Sequence, residues 1–226
     1  MRPPVKEPFV KLDVPLVLAS RSPRRVELLA SVGIEVMGRP CDVNEDPLSG
    51  EAPLAYVERI TRSKLVAARR AAESGLSGRH ALLVADTTVT IDGAILGKPA
   101  DERDARSMLE RLVGRTHEVL TCYGLALVPS AAEATVRTVR TSVTMRPAQP
   151  SEIDAYVASG EPFGKAGAYA IQGLGALFVE RIDGSYTGVV GLPLSEVVQD
   201  LARLGIARLD TDELSAAEAG AAELRS

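Results

Sequence analysis

The stretch Ala81-Leu-Leu-Val-Ala-Asp86-Thr-Thr-Val-Thr-Ile-Asp92-Gly93-Ala-Ile-Leu96 decides the fold class. Residues 81–85 are uniformly apolar and read as a buried strand. Residues 89–91 and 94–96 are short β-prone runs, and Asp92-Gly93 between them is a strong hairpin signal. A strand that turns straight back on itself does not fit a purely parallel sheet. Toward the N-terminus, residues 14–19 form another short apolar run, ending at Ser20-Arg-Ser-Pro-Arg-Arg25. There Ser22 takes the N-cap position and Pro23 the first helical position. Val26, Leu29 and Ala30 follow at helical spacing and Gly33 stops the helix. A strand near 34–37 and a long helix over 54–74 complete the first half.

Toward the C-terminus, Asp101 caps a helix that runs to Leu112. Residues 119–128 and 135–145 read as a long antiparallel pair, and 151–159 as a short helix. Strands are expected near 168–171, 177–182 and 185–189. A last helix carries the stripe Leu194, Val197, Val198, Leu201, Leu204 and closes at Gly205. Helices interleaved with hairpin-linked strands predict an α/β fold, a mixed twisted sheet flanked by helices. No internal repeat is visible. Residues 1–13, with three prolines, read as an N-terminal extension, 14–206 as a single domain, and 207–226 as an acidic tail.

The 226 residues are 46% apolar and 25% charged, which argues against a disordered chain. Aromatics are 4% and Trp is absent, so Val, Leu, Ile and Ala must fill the core, and stacked-base recognition is disfavoured. Residues 210–226 hold five acids and one base, leaving the rest with 25 of each sign. A neutral body argues against nucleic acid as the main partner. Cys41 and Cys122 have no metal-like spacing and read as two reduced core cysteines. No signal peptide or membrane span is readable, and the chain reads as cytoplasmic.

Some positions could carry chemistry. The turn at 20–25 joins a strand to a helix start, where free N–H groups and the helix dipole favour an anion. Its Ser20, Ser22, Arg24 and Arg25 suit phosphate oxygens, against a plain capped turn with solvated arginines. Lys64 falls on the apolar face of its helix, four after Ile60 and seven after Val57, so it either snorkels or reaches a buried anion. Asp86 ends the apolar run 81–85, the strand end where open α/β sheets bind ligands. A carboxylate there can hold a divalent cation or take a proton from water, or merely cap a turn. Lys98 in Gly97-Lys98-Pro99 is locally a turn lysine, and Glu45 lies in the acidic loop 42–46. Gly160-Glu-Pro-Phe-Gly164-Lys165-Ala166 is one residue short of a P-loop, and Gly173-Leu-Gly175 lacks a third glycine. His80 and His117 have no third ligand type nearby.

In order along the chain stand Leu18-Ala-Ser-Arg-Ser-Pro-Arg-Arg-Val-Glu-Leu-Leu29, Ala85-Asp-Thr87, Gly97-Lys-Pro99, Lys165-Ala-Gly-Ala-Tyr-Ala-Ile-Gln-Gly173, Gly184-Ser-Tyr186 and Val190-Gly-Leu-Pro-Leu194. Over about 14–206 the sequence resembles the Maf family of nucleoside triphosphate pyrophosphatases. That resemblance implies a central nucleotide-binding cleft between two lobes, a homodimer, Mg²⁺ or Mn²⁺, and cleavage between the α- and β-phosphates. By motif position it implies phosphate binding at Ser20, Ser22, Arg24 and Arg25, and a metal-facing carboxylate at Glu45. It further implies cleft lysines at Lys64 and Lys98, a catalytic, metal-facing Asp86, and substrate selection by Arg24, Thr87 and Gln172. Gln172 resembles the subgroup acting on dTTP and UTP, whereas the 7-methyl-GTP subgroup has Glu. Asn44 and Gly188 depart from the pattern, where an acid and an Asn are common. A nucleotide- or nucleic-acid-binding regulator of cell division without turnover is the alternative, against which Asp86, Lys98 and Glu45 favour an enzyme.

Overall fold

The structure, a computed structural model, describes residues 9–130 and 134–209. Its centre is the six-strand path β3-β2-β4-β6-β7-β8, with β5 paired to β4 as a seventh strand. The strands are β2 (Leu16–Leu18), β3 (Val36–Gly38), β4 (His80–Ile91), β5 (Ala94–Leu96), β6 (Thr116–Val128), β7 (Thr135–Met145) and β8 (Val179–Asp183). Pairs β2–β3 and β2–β4 are parallel and the others antiparallel, so the sheet is mixed, as the hairpin requires. At its turn Asp92 and Gly93 both take positive φ, +53° and +74°, the conformation for which Asp-Gly is suited.

Helices cover the sheet: α1 (Pro23–Ser31), α2 (Pro53–Gly75), α3 (Glu102–Leu112), α4 (Pro150–Ala158), α5 (Tyr186–Val190) and α6 (Leu194–Arg203). The β4 side chains alternate between two cores, as a pleated strand demands. Leu82 and Val84 pack with Leu65, Ala68 and Ala72 of α2. Leu83 and Ala85 pack in the larger core with Leu29 of α1, Leu109 of α3 and Leu201 of α6.

The structure changes several expectations. Strand β4 does not end at Ala85 but continues through Ile91, so Asp86 lies mid-strand. It nevertheless lies past the parallel pairing. Strand β6 follows one edge of β4 from His80 to Thr90, while β2 pairs only with 81–83 and β5 only with 89–91. The edge between them, 84–88, has no neighbouring strand among the described residues, and a cleft opens there.

The expected strands at 168–171 and 185–189 are absent. The first region forms a 3₁₀ turn, Ala166–Ala168, and the second is α5, where Ser185 caps the helix by accepting from the Gly188 N–H at 3.0 Å. A second 3₁₀ turn, Leu174–Phe178, takes the start of the expected strand at 177–182 and leaves β8. The expected extension and tail also contribute to the fold. Strand β1 (Val10–Leu12) pairs antiparallel with β9 (Ala207–Leu209), burying Val10 and Ala207 against the core. The ordered fold therefore exceeds 14–206 at both ends, while 1–8 and 210–226 lie outside the described residues. Of the cysteines, both free, Cys122 is in the core but Cys41 is half-buried at the cleft.

Candidate active site

Period two places Asp86 on the α2 face with Leu82 and Val84, and Thr87 on the opposite face with Ala85. In an interior strand two such residues could not share a site; at the open edge both line the cleft, which has a volume of ≈ 820 Å³.

On the α2 side, Val57, Ile60, Thr61, Lys64, Leu65 and Ala68 form a buried stripe. Lys64 is 8% exposed and does not snorkel. Its Nζ lies 2.7 Å from Asp86 Oδ1 and 2.7 Å from Glu45 Oε1. The buried-anion reading of Lys64 is the one the structure supports. Burial pushes the Asp86 carboxyl above the ordinary range, opposed by Lys64 and Arg25. For Glu45, burial alone would raise the pKa, but the Lys64 hydrogen bond and charge, with Lys98 and Arg25, outweigh it and hold the carboxyl low. Lys98 is two-thirds exposed, its Nζ 3.9 Å from Glu45 Oε2.

The acidic loop is tied down from α2. Tyr56 donates its hydroxyl to the Glu45 carbonyl at 2.9 Å, and Arg59 donates to the Asp46 carbonyl at 3.0 Å while gripping both oxygens of Glu51. Asn44 accepts from the Asp46 N–H at 2.8 Å, an Asx turn that keeps its carbonyl in the loop.

On the other face, Arg25 is almost wholly buried and serves as a clamp. Its guanidinium donates to the Gly191 carbonyl at 2.8 Å, Ser20 Oγ at 3.0 Å and Thr87 Oγ1 at 3.3 Å. Those bonds offset the cost of burying a cation, and burial lowers its pKa. Ser20 Oγ also accepts from the Ser22 N–H, so the turn is folded upon itself. Ser22 holds the N-cap position without a side-chain cap bond. Arg24 is half-buried and lines the cleft. Thr87 reaches Thr121 Oγ1 at 3.0 Å, and Thr121 donates to the Gly188 carbonyl at 2.8 Å. A Cβ on Gly188 would meet Ser185 at 3.1 Å, so glycine lets α5 close on its own cap.

Gln172 lines the far wall, exposed, and makes no hydrogen bond among the described residues. Lys165, Tyr169 and Gly191, which pattern reasoning did not select as site residues, also line the cleft, Gly191 beside Arg25 and Thr87. Lys165 belongs to the near-miss P-loop, a signal that pointed to the cleft for the wrong structural reason. His117 is buried with Nε2 2.9 Å from the Tyr169 hydroxyl, and burial lowers its pKa to about 4.

One ammonium between two carboxylates leaves the Glu45–Lys64–Asp86 group with one net negative charge, in a cleft that Arg24, Arg25, Lys98 and Lys165 also line. Among the described residues no group of three His, Cys, Asp or Glu is placed so as to hold a metal ion. Two carboxylates without a third protein ligand fit Mg²⁺ or Mn²⁺, hard cations commonly held by one or two carboxylates together with substrate phosphates.

The family model described as Maf-like protein matches residues 15–204. A dTTP/UTP pyrophosphatase of Geobacter sulfurreducens is 51% identical over 191 residues, 84% of this chain and 96% of that protein. One of Burkholderia orbicola is 53% identical over 194 residues, 80% and 89% of the two chains. Among solved structures, the Staphylococcus aureus Ham1 protein matches at TM-score 0.38 and 15% identity over 57% of this chain and 71% of that one, a likeness too partial to bear on the site. With the family model spanning most of the chain and half of all aligned residues identical to these relatives, the chain belongs to the Maf-like protein family.

Proposed function

We propose that this chain hydrolyses the pyrimidine nucleoside triphosphates dTTP and UTP, or a modified pyrimidine counterpart, to the monophosphate and pyrophosphate. The observation that carries this reading is Lys64 held between Glu45 and Asp86 in a cleft whose neighbouring wall is the cationic turn 20–25. The relatives' names support the same substrates.

A triphosphate brings about four negative charges and needs local cations in a chain without a net basic field. Arg24, Lys98 and Lys165 are the candidates to meet its oxygens. Arg25 acts first through shape: it fixes Ser20, Thr87 and Gly191 in one arrangement. Asp86 is the proton acceptor for the attacking water, because burial raises its proton affinity and Lys64 holds its carboxylate in place. In-line attack at the α-phosphorus then expels pyrophosphate, with Lys64 and Lys98 beside the developing charge. Glu45 and Asp86 are the residues that would hold Mg²⁺ or Mn²⁺. When bound, such an ion polarises phosphoryl oxygens and lowers the pKa of its water.

Gln172 carries both a donor and an acceptor and can answer the imide edge of uracil or thymine with two hydrogen bonds. The family likeness supports a homodimer that clears the cytoplasmic nucleotide pool. Assay of UTP and dTTP with Mg²⁺ or Mn²⁺ should yield pyrophosphate and monophosphate as first products. Orthophosphate with the diphosphate would place attack at the γ-phosphorus and overturn the assignment.

A further inference from the structure

Gln172 lies in a segment without regular structure, between two 3₁₀ turns, and something other than a helix or strand ladder must hold its main chain in place. The groups that do so come from one short stretch. Glu161, just beyond α4, accepts from the Gly175 N–H at 2.9 Å through Oε1 and from the Leu174 N–H at 2.9 Å through Oε2. The Tyr156 hydroxyl donates to Glu161 Oε1 at 2.9 Å and accepts from the Ala170 N–H at 3.1 Å. The pair therefore fastens the main chain two residues before Gln172 and two and three residues after it.

The glycines flanking this fastening are required by it. A Cβ on Gly173 would lie 2.1 Å from Glu161 Oε2, and one on Gly175 would lie 2.7 Å from the Tyr156 hydroxyl and 2.8 Å from the Ala170 carbonyl. The Gly173-Leu-Gly175 pattern, unrelated to dinucleotide binding, is thus the seat of a carboxylate. The Glu161 carbonyl also accepts from Lys165 Nζ, so the same residue steadies a second cleft side chain.

We propose that Glu161, acting with Tyr156, is a positioning residue for base selection: it touches no substrate but fixes where Gln172 meets the pyrimidine. This inference rests on the proposed role of Gln172. The Gln172 amide makes both of its bonds to the imide edge only when it is presented from one main-chain position, which Glu161 and Tyr156 hold. A displaced main chain weakens those bonds to uracil and so lowers the preference for UTP.

The test compares kcat/KM for UTP and CTP in the wild type and in Glu161→Gln, Tyr156→Phe, Gln172→Ala and the double variant Glu161→Gln/Gln172→Ala. Glu161→Gln keeps the shape but turns an amide donor toward main-chain donors. The UTP-over-CTP ratio should fall about 10-fold, the scale of one weakened charge-assisted bond. Most of the loss should appear in KM for UTP, with kcat within about twofold. Inhibition by inorganic tripolyphosphate, which probes the phosphate side alone, should be unchanged. Tyr156→Phe should give a smaller fall of the same kind, and the double variant should be no less selective than Gln172→Ala. If Gln172→Ala lowers the ratio while Glu161→Gln and Tyr156→Phe do not, this proposal fails and the role of Gln172 stands. An unchanged ratio in Gln172→Ala removes the base-reading role itself, and the proposal with it. Equal losses toward UTP, CTP and tripolyphosphate in Glu161→Gln would show general loosening and also overturn it.

Discussion

The two walls of the cleft are built by different means. The wall carrying Lys64, Asp86 and Thr87 consists of α2 and β4, a 23-residue helix and a 12-residue strand, whose own hydrogen bonds hold the main chain. Its polar side chains are consequently free to pair with one another, as Lys64 does with two carboxylates. The wall carrying Lys165, Tyr169 and Gln172 has two 3₁₀ turns and little ladder, and there side chains are used to hold the main chain. Charge chemistry needs fixed distances and sits on regular elements; base reading sits on a segment whose shape is set by a few side-chain bonds and can be altered by changing one of them.

The largest effect that would sharpen this contrast is expected at Asp86. Asp86→Asn keeps the volume and removes the proton acceptor, so kcat should fall by ~10²–10⁴-fold. Because burial raises the Asp86 pKa above its unfolded value, its ionised form opposes folding at neutral pH. The melting temperature should therefore not fall far, unless the buried Lys64 left with Glu45 alone costs more than is regained. Near-normal kcat in this variant would reduce Asp86 to a structural role.

Next comes Lys64→Ala, which leaves the Glu45 and Asp86 carboxylates facing each other without their shared cation. Both kcat and kcat/KM should drop, by roughly 10²-fold if Lys64 meets charge that develops in the transition state. Lost stability with unchanged kinetics would assign Lys64 to the core instead.

On the other wall the expected change is one of preference. Gln172→Glu replaces a donor–acceptor amide with an acceptor-only carboxylate, suited to the two donors on a guanine edge. Activity toward UTP and dTTP should fall about 10-fold relative to GTP and 7-methyl-GTP, less than for an enclosed site because Gln172 is exposed. An unchanged ratio across the four nucleotides would leave Gln172 without a part in selection.

The smallest effect on turnover is expected at His117, beneath this wall. Its folded pKa of about 4 lies below the ordinary 6.5, so the fold favours the neutral ring. The stability this contributes is present above pH 6.5 and lost as pH falls through about 4, ~3 kcal/mol in all. His117→Phe should flatten that part of the dependence of melting temperature on pH while leaving activity at pH 8 within a few-fold. An unaltered slope would show that other groups govern the acid side.

Local signals were legible where local bonds decide. Asp101 caps α3 by accepting from the Asp104 N–H at 2.8 Å, Pro23 opens α1, and Asp92-Gly93 turns the hairpin. The strand expected at 185–189 follows the β preference of Tyr186 and Val189, yet the Ser185 cap and the bond from Thr121 to the Gly188 carbonyl make a short helix. Thr121 is 67 residues away and leaves no local sign. Asp86 stands out in the sequence because it follows five apolar residues, but that point is not a strand end, since β4 runs on to Ile91.

The order of residues suffices for the mixed α/β class, the positions of the main helices, and a set of motifs specific enough to imply a family. Spacing, capping and hairpin chemistry act over a few residues and leave their mark in the order of the chain. Tertiary structure alone decided that Lys64 meets Glu45 and Asp86, that Arg25 clamps Ser20, Thr87 and Gly191, and that Glu161 holds the turn beside Gln172. Each of these depends on which strand lies beside which. Because β2 and β5 leave part of one β4 edge open, side chains from opposite faces of a single strand share one cleft, a consequence of pairing register that no local pattern encodes.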